Sequence, residues 1–93
     1  MVYHKLVLHI HPSIPSDSKV LMGEFKEGTV LFDALVSVLS KNQKIAKVLL
    51  LNNAIRHGFL FISDKIELRS TNKLKDTIKK DVEIKIVPIS HGG

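Results

Sequence analysis

The chain has 93 residues, 44% of them apolar and 25% charged, with no cysteine and a formal net charge of +5. That length holds one domain, with a core large enough to fold without metals or cross-links. Lack of cysteine excludes disulfides, thiolate nucleophiles and Cys-ligated zinc, and fits a reducing compartment.

The first ten residues are interrupted by His4, Lys5 and His9, so they form no signal-peptide apolar region. The longest apolar runs, residues 48–51 and 59–62, are far short of the ~20 residues that cross a bilayer. A cytoplasmic, membrane-free protein is expected. The positive charge favours acidic partners, but the lysines are dispersed, aromatics are few and no helix carries a basic stripe. Direct nucleic-acid binding is therefore not expected.

Residues 3–10 alternate with period two, Leu6, Leu8 and Ile10 on one face and Lys5, Val7 and His9 on the other, the pattern of a half-buried strand. Pro12, Ser13, Pro15, Ser16 and Asp17 form a turn-rich connection. Residues 19–25 read as a second strand returning antiparallel, with Gly23 marking a bulge or a close backbone approach. Thr29 is the expected N-cap of a helix whose apolar stripe is Leu31, Leu35, Val38 and Leu39, widened by Ala34. Lys41, Asn42 and Gln43 end or bend it, and Ile45, Val48 and Leu49 suit a further helical turn.

Asn52-Asn53 and Arg56-His57-Gly58 are loop signals. Residues 59–63 are almost wholly apolar, so either Phe59 and Phe61 or Leu60 and Ile62 can face outward. Asp64-Lys65 turns the run into a short neighbour at residues 66–68, and Leu74 anchors the next loop. In the last strand, residues 82–87, Val82, Ile84 and Ile86 point inward, and Glu83, Lys85 and Val87 outward. Element order implies an α+β fold: one mixed sheet with one principal helix across a face, the first and last strands side by side at its centre.

Catalytic constellations are missing. Asp33, Glu67, Asp76 and Asp81 are scattered, no serine sits in a nucleophile-elbow context, and Gly23 and Gly28 form no phosphate loop. His9 and His11 are two apart on one strand face, a spacing metals accept, yet no third ligand lies nearby in sequence. No metal, no bound cofactor and no intrinsic enzyme activity are expected.

The layout, ending in Gly92-Gly93 after a strand, resembles the β-grasp, ubiquitin-like sulfur carriers. These include the ubiquitin-related modifiers, the small subunit of molybdopterin synthase and the thiamine sulfur carrier. Gly58-Phe59-Leu60-Phe61-Ile62-Ser63-Asp64 resembles the modifiers' glycine, apolar run and polar turn. Residues 75–82 resemble their approach to the last strand, with Lys80 where a glycine is usual. Ser90-His91-Gly92-Gly93 looks like the modifiers' His-Gly-Gly ending, whereas Val87-Pro88-Ile89 is closer to the synthase subunit.

The resemblance implies a β-grasp domain over residues 1–88 and a flexible C-terminal tail over 89–93. It also implies a carrier acted on by other proteins, monomeric alone. An ATP-dependent adenylating enzyme would activate the Gly93 carboxylate, and a sulfur donor would convert it to a thiocarboxylate. Onward partners implied are a tRNA thiolase, conjugated target proteins or a synthase large subunit making molybdopterin. An interaction module without tail chemistry is the remaining alternative. Gly92, His91 and Ser90 would thread the partner's site, at an ordering cost of about 1–2 kcal/mol per residue. Surface docking must offset that cost, and the expected contacts are Val7, Phe59, Phe61, Val87, Pro88 and Ile89, rimmed by Lys5, Lys85 and His9.

Overall fold

The computed structural model of the chain describes residues 1–89. Its strands in chain order are β1 (Tyr3–Ile10), β2 (Val20–Lys26), β3 (Leu50–Leu51), β4 (Ala54–Ile55), β5 (Phe59–Ser63), β6 (Ile66–Glu67) and β7 (Val82–Pro88). One sheet has the order β2-β1-β7-β5-β6, and β3 and β4 form a separate hairpin. β1 pairs antiparallel with β2 and parallel with β7, so the larger sheet is mixed, and β1 and β7 lie side by side within it. Leu6, Leu8, Ile84 and Ile86 are fully buried because the alternation of both strands sends the same parity to one face.

Helix α1 (Leu31–Ser40) covers that face through Leu31, Ala34, Leu35, Val38 and Leu39. Its start differs from expectation. The Thr29 hydroxyl does not cap the helix; it donates to Lys26 O at 2.7 Å, closing the turn before it. Val30 is the N-cap, and the Leu31 N–H is satisfied by Asp76 O at 2.8 Å, while Ile78 N–H donates to Thr29 O at 2.8 Å. A distant backbone segment thus takes the place of a local cap, which leaves the hydroxyl free for the turn.

After α1 the chain forms a short second helix, α2 (Gln43–Leu49), anchored by buried Ile45 and Leu49. The β3–β4 hairpin comes directly after it. Asn52 and Asn53 both have positive φ, 51° and 63°, the pattern of a type I′ turn, so the expected loop is a tight hairpin. Asp64 and Lys65, at 49° and 66°, turn β5 into β6 in the same way. A 3-10 turn at Lys73–Lys75 buries Leu74, as expected.

Gly23 sits in regular register opposite Leu6, so there is no bulge. A Cβ there would come within 3.0 Å of the Phe25 ring and of Val38 Cγ2 on α1. The glycine is where the edge strand and the helix approach closely. Gly23→Val should therefore lower unfolding stability by about 1–3 kcal/mol, read as a reduced urea midpoint. An unchanged midpoint would show that the helix shifts freely over β2.

Candidate functional site

The site is built around the last strand. β7 is held on both sides, by β1 through the pairs Leu6↔Val82 to Ile10↔Ile86 and by β5 through Phe59↔Pro88 to Ile62↔Lys85. His11 N–H donates to Ile86 O at 3.0 Å, and the next parallel rung would need an N–H from residue 88. Proline has none, and β1 turns away there, so Pro88 ends the β1 side of the ladder without orphaning a donor. On the other side pairing continues: Ile89 N–H donates to Gly58 O at 2.8 Å. Ile89, assigned to the tail from sequence, is therefore gripped by the sheet. The expectations placed on Ser90, His91, Gly92 and Gly93, and on a flexible tail, lie outside the described residues.

Register with β7 decides which residues of β5 face outward. Phe61 stands opposite buried Ile86 and is itself fully buried, so it is a core residue and not a docking contact. Phe59 has the same parity, packs partly against the core opposite Pro88, and lines a groove with Ile89 and His57. Leu60 and Ile62 take the outward positions, Leu60 directly opposite Val87 and Ile62 opposite Lys85.

The expected patch is also divided. Val7 lies opposite Glu83, four residues before Val87, which is about 13 Å along the strand at ~3.3 Å per residue. Val7 instead neighbours Met22, which is 64% exposed. Between the two apolar groups runs a charged row, with His9 Nε2 2.9 Å from Glu83 Oε1 and Lys85 beside His9. The structure thus brings together Val87, Leu60 and Ile89 at the end of β7, while Ile62 faces outward among the charged side chains opposite Lys85. Leu60 and Ile62 were not among the expected contacts, because an almost wholly apolar run carries no parity of its own.

Glu67 fixes the free edge of β5 beside this cluster. Its carboxylate accepts the Phe61 N–H at 2.9 Å and the Ser70 N–H at 2.6 Å, standing in for the strand that β6 is too short to supply. Burial on its own would raise the Glu67 pKa. Hydrogen bonds from the Phe61 and Ser70 N–H groups, the Ser70 side chain and the Arg69 backbone outweigh it and hold the group below its ordinary 4.5. Arg69 ties this edge to the hairpin, donating to Arg56 O at 2.8 Å and Ile55 O at 3.2 Å.

Three of the histidines have side-chain partners. His9 pairs with Glu83 as above, His4 Nε2 lies 2.8 Å from Glu27 Oε1, and His11 Nδ1 2.8 Å from the Ser13 hydroxyl. Among the described residues no group of three or more His, Asp or Glu side chains is placed to hold a metal ion. Nor, among them, is any helix long and apolar enough to cross a membrane.

Two outcomes check this geometry. A carboxyl whose pKa is depressed by folding stabilises above its unfolded value, and that contribution is lost as pH falls through the folded value. Glu67→Gln should therefore cost about 1–2 kcal/mol near neutral pH. Its deficit against the parent should shrink below the ordinary carboxyl value of 4.5, in urea titrations across pH. A deficit independent of pH would remove the charge from the argument. For β5, Phe61→Ala should lose about 3–5 kcal/mol of stability. Leu60→Ser should lose far less; equal losses would contradict the assigned faces.

No family model matches the sequence, and no curated protein matches it. Solved structures do match in fold. The crystal structure of SAMP1 from Haloferax volcanii aligns with a TM-score of 0.77 at 10% identity, over 96% of this chain and 99% of that one. The solution structure of the small archaeal modifier protein SAMP1 from Methanosarcina acetivorans gives 0.73 at 15% identity, over the whole of both chains. The Haloferax volcanii HVO 2177 protein gives 0.67 at 13% identity, over 97% and 88%. The mixed sheet, the helix across its inner face and these alignments agree: the chain has the β-grasp, ubiquitin-like fold seen in the small archaeal modifiers.

Proposed function

We propose that this chain is a ubiquitin-like modifier or sulfur carrier, not an enzyme, that reacts through the carboxylate of Gly93. The observation that carries the reading is the setting of β7. The strand is paired on both sides, stays in the sheet as far as Ile89 and ends beside Val87 and Leu60, four residues before Gly93. A partner that grips this small apolar cluster receives the Gly92-Gly93 segment in a defined direction. The likeness in fold to structures of small archaeal modifier proteins supports the same reading.

A carboxylate is a poor electrophile and needs activation. A Gly93 oxygen attacks the α-phosphorus of ATP held by a cytosolic adenylating enzyme, and pyrophosphate leaves. Hydrosulfide, or an equivalent from a sulfur donor, then attacks the acyl carbon and displaces AMP, leaving a thiocarboxylate. A lysine amine of a target protein attacking the same carbon would instead give an isopeptide bond. Glycine at both final positions admits the backbone to a narrow site that a Cβ would obstruct. The chain supplies the carboxylate and its delivery, and ATP belongs to the partner.

The test is intact mass spectrometry of the full chain after incubation with a candidate adenylating enzyme, ATP and sulfide. A gain equal to the exchange of one oxygen for sulfur, absent when Gly93 is deleted, is expected; an unchanged mass overturns the proposal. Val87→Asp places a charge in the cluster without touching the core and should slow that conversion about tenfold or more. An unaffected rate would move the docking surface elsewhere. A second reading, the obligate small subunit of a molybdopterin-forming synthase, draws on Pro88 before the tail. Purification as a stable one-to-one complex with a larger subunit would favour it.

A further inference from the structure

The charges of this chain are not evenly placed. All nine Asp and Glu residues lie outside residues 34–63, while that stretch holds Lys41, Lys44, Lys47 and Arg56. It folds into most of α1, all of α2, the β3–β4 hairpin and β5. Lys44 is paired with Asp17 at 3.2 Å, but Lys41, Lys47 and Arg56 are exposed and have no ion-pair partner among the described residues. Lys47 occupies the last turn of α2, directly before the hairpin, and the Arg56 N–H donates to Leu49 O at 2.7 Å, so the two cations flank the hairpin's base.

A groove of mixed polarity opens on the hairpin beside Arg56. It is lined by Leu51, Ala54, Ile55, Arg56 and His57, and Leu51 is 52% exposed although it follows a buried helix end. The Asn52-Asn53 turn, with both residues at positive φ, holds Leu51 in place. A leucine left half in water on a tight hairpin, with Arg56 in the same groove, Lys47 in the helical turn before it and no carboxylate in its own stretch of chain, is complementary to an apolar anchor between acidic residues.

We propose that the β3–β4 hairpin is a second docking site, which takes an extended acidic segment of a partner protein with an apolar anchor against Leu51. A protein segment fits better than a nucleic acid. Single-stranded nucleic acid needs aromatic platforms for its bases, and beside Leu51, Ala54 and Ile55 the groove offers only the His57 ring. His57 also lines the groove that contains Phe59 and Ile89, so the occupant lies next to the base of the tail. The site does not depend on tail chemistry.

The experiment is an amide chemical-shift titration of the full chain with a synthetic peptide of aspartates and glutamates around one central leucine. Shifts should concentrate on Lys47, Leu51, Ala54, Arg56 and His57 and vanish with a peptide carrying lysines in place of the acids. Lys47→Glu with Arg56→Glu should weaken binding about tenfold, as should raising salt from about 50 to about 300 mM. Leu51→Ser should weaken it similarly with no fall in thermal midpoint. Absence of localised shifts, or shifts centred on Val87 and Leu60, overturns the proposal. Tighter binding of a single-stranded oligouridylate than of the peptide also overturns it and reassigns the face to phosphate. Deleting Gly93 should leave this binding unchanged, so its outcome is separable from that of the thiocarboxylation assay.

Discussion

Parallel pairing between β1 and β7 is the contact on which the other elements lean. It joins the first strand of the sheet to the last, from Leu6↔Val82 to Ile10↔Ile86, and everything between them forms one long crossover. Loop closure on that scale is entropically unfavourable and slow, so the pair must be supported from elsewhere. The support is hydrophobic: Leu6, Leu8, Ile84 and Ile86 are fully shielded on the face that α1 covers, and α1 is itself tied to the approach to β7 through Asp76 and Ile78. The helix start, the turn before it and the approach to the last strand are therefore tied to one another.

Legibility followed the length of each pattern. β1, α1 and β7 were readable because seven or more residues each present a buried parity or stripe, and burying both strands on one face put them together at the centre. The hairpin strands are two residues each, too short for any alternation, so only their asparagines signalled a turn. Helix α2 is seven residues with two buried positions, which marks a helical turn but not its limits. The Thr29 cap failed for a different reason: a carbonyl from far along the chain, Asp76 O, satisfies the helix start instead.

The candidate site shows the same divide. That β7 leads to Gly92-Gly93 can be read along the chain; which side chains surround its exit cannot. Phe61 inside and Leu60 outside follow from opposition to Ile86 and Val87, a register that only pairing defines. Val7 and Val87 do share a face, yet the parallel register separates them and inserts the His9–Glu83 pair. The positive charge read as dispersed along the sequence includes a run on α2 and the hairpin, where Asp17 at Lys44 is the one ion-pair partner among the described residues.

Because β7 has neighbours on both flanks, its hydrogen bonds to β1 and β5 lie across the strand direction. Tension applied along the chain beyond Ile89 therefore loads all the rungs at once, in shear, and cannot open them one after another. An edge strand joined only on one side could be peeled away from its end. The central seat of β7 means that drawing it out of the sheet breaks rungs on two flanks, to β1 and to β5, where an edge strand would break rungs on one.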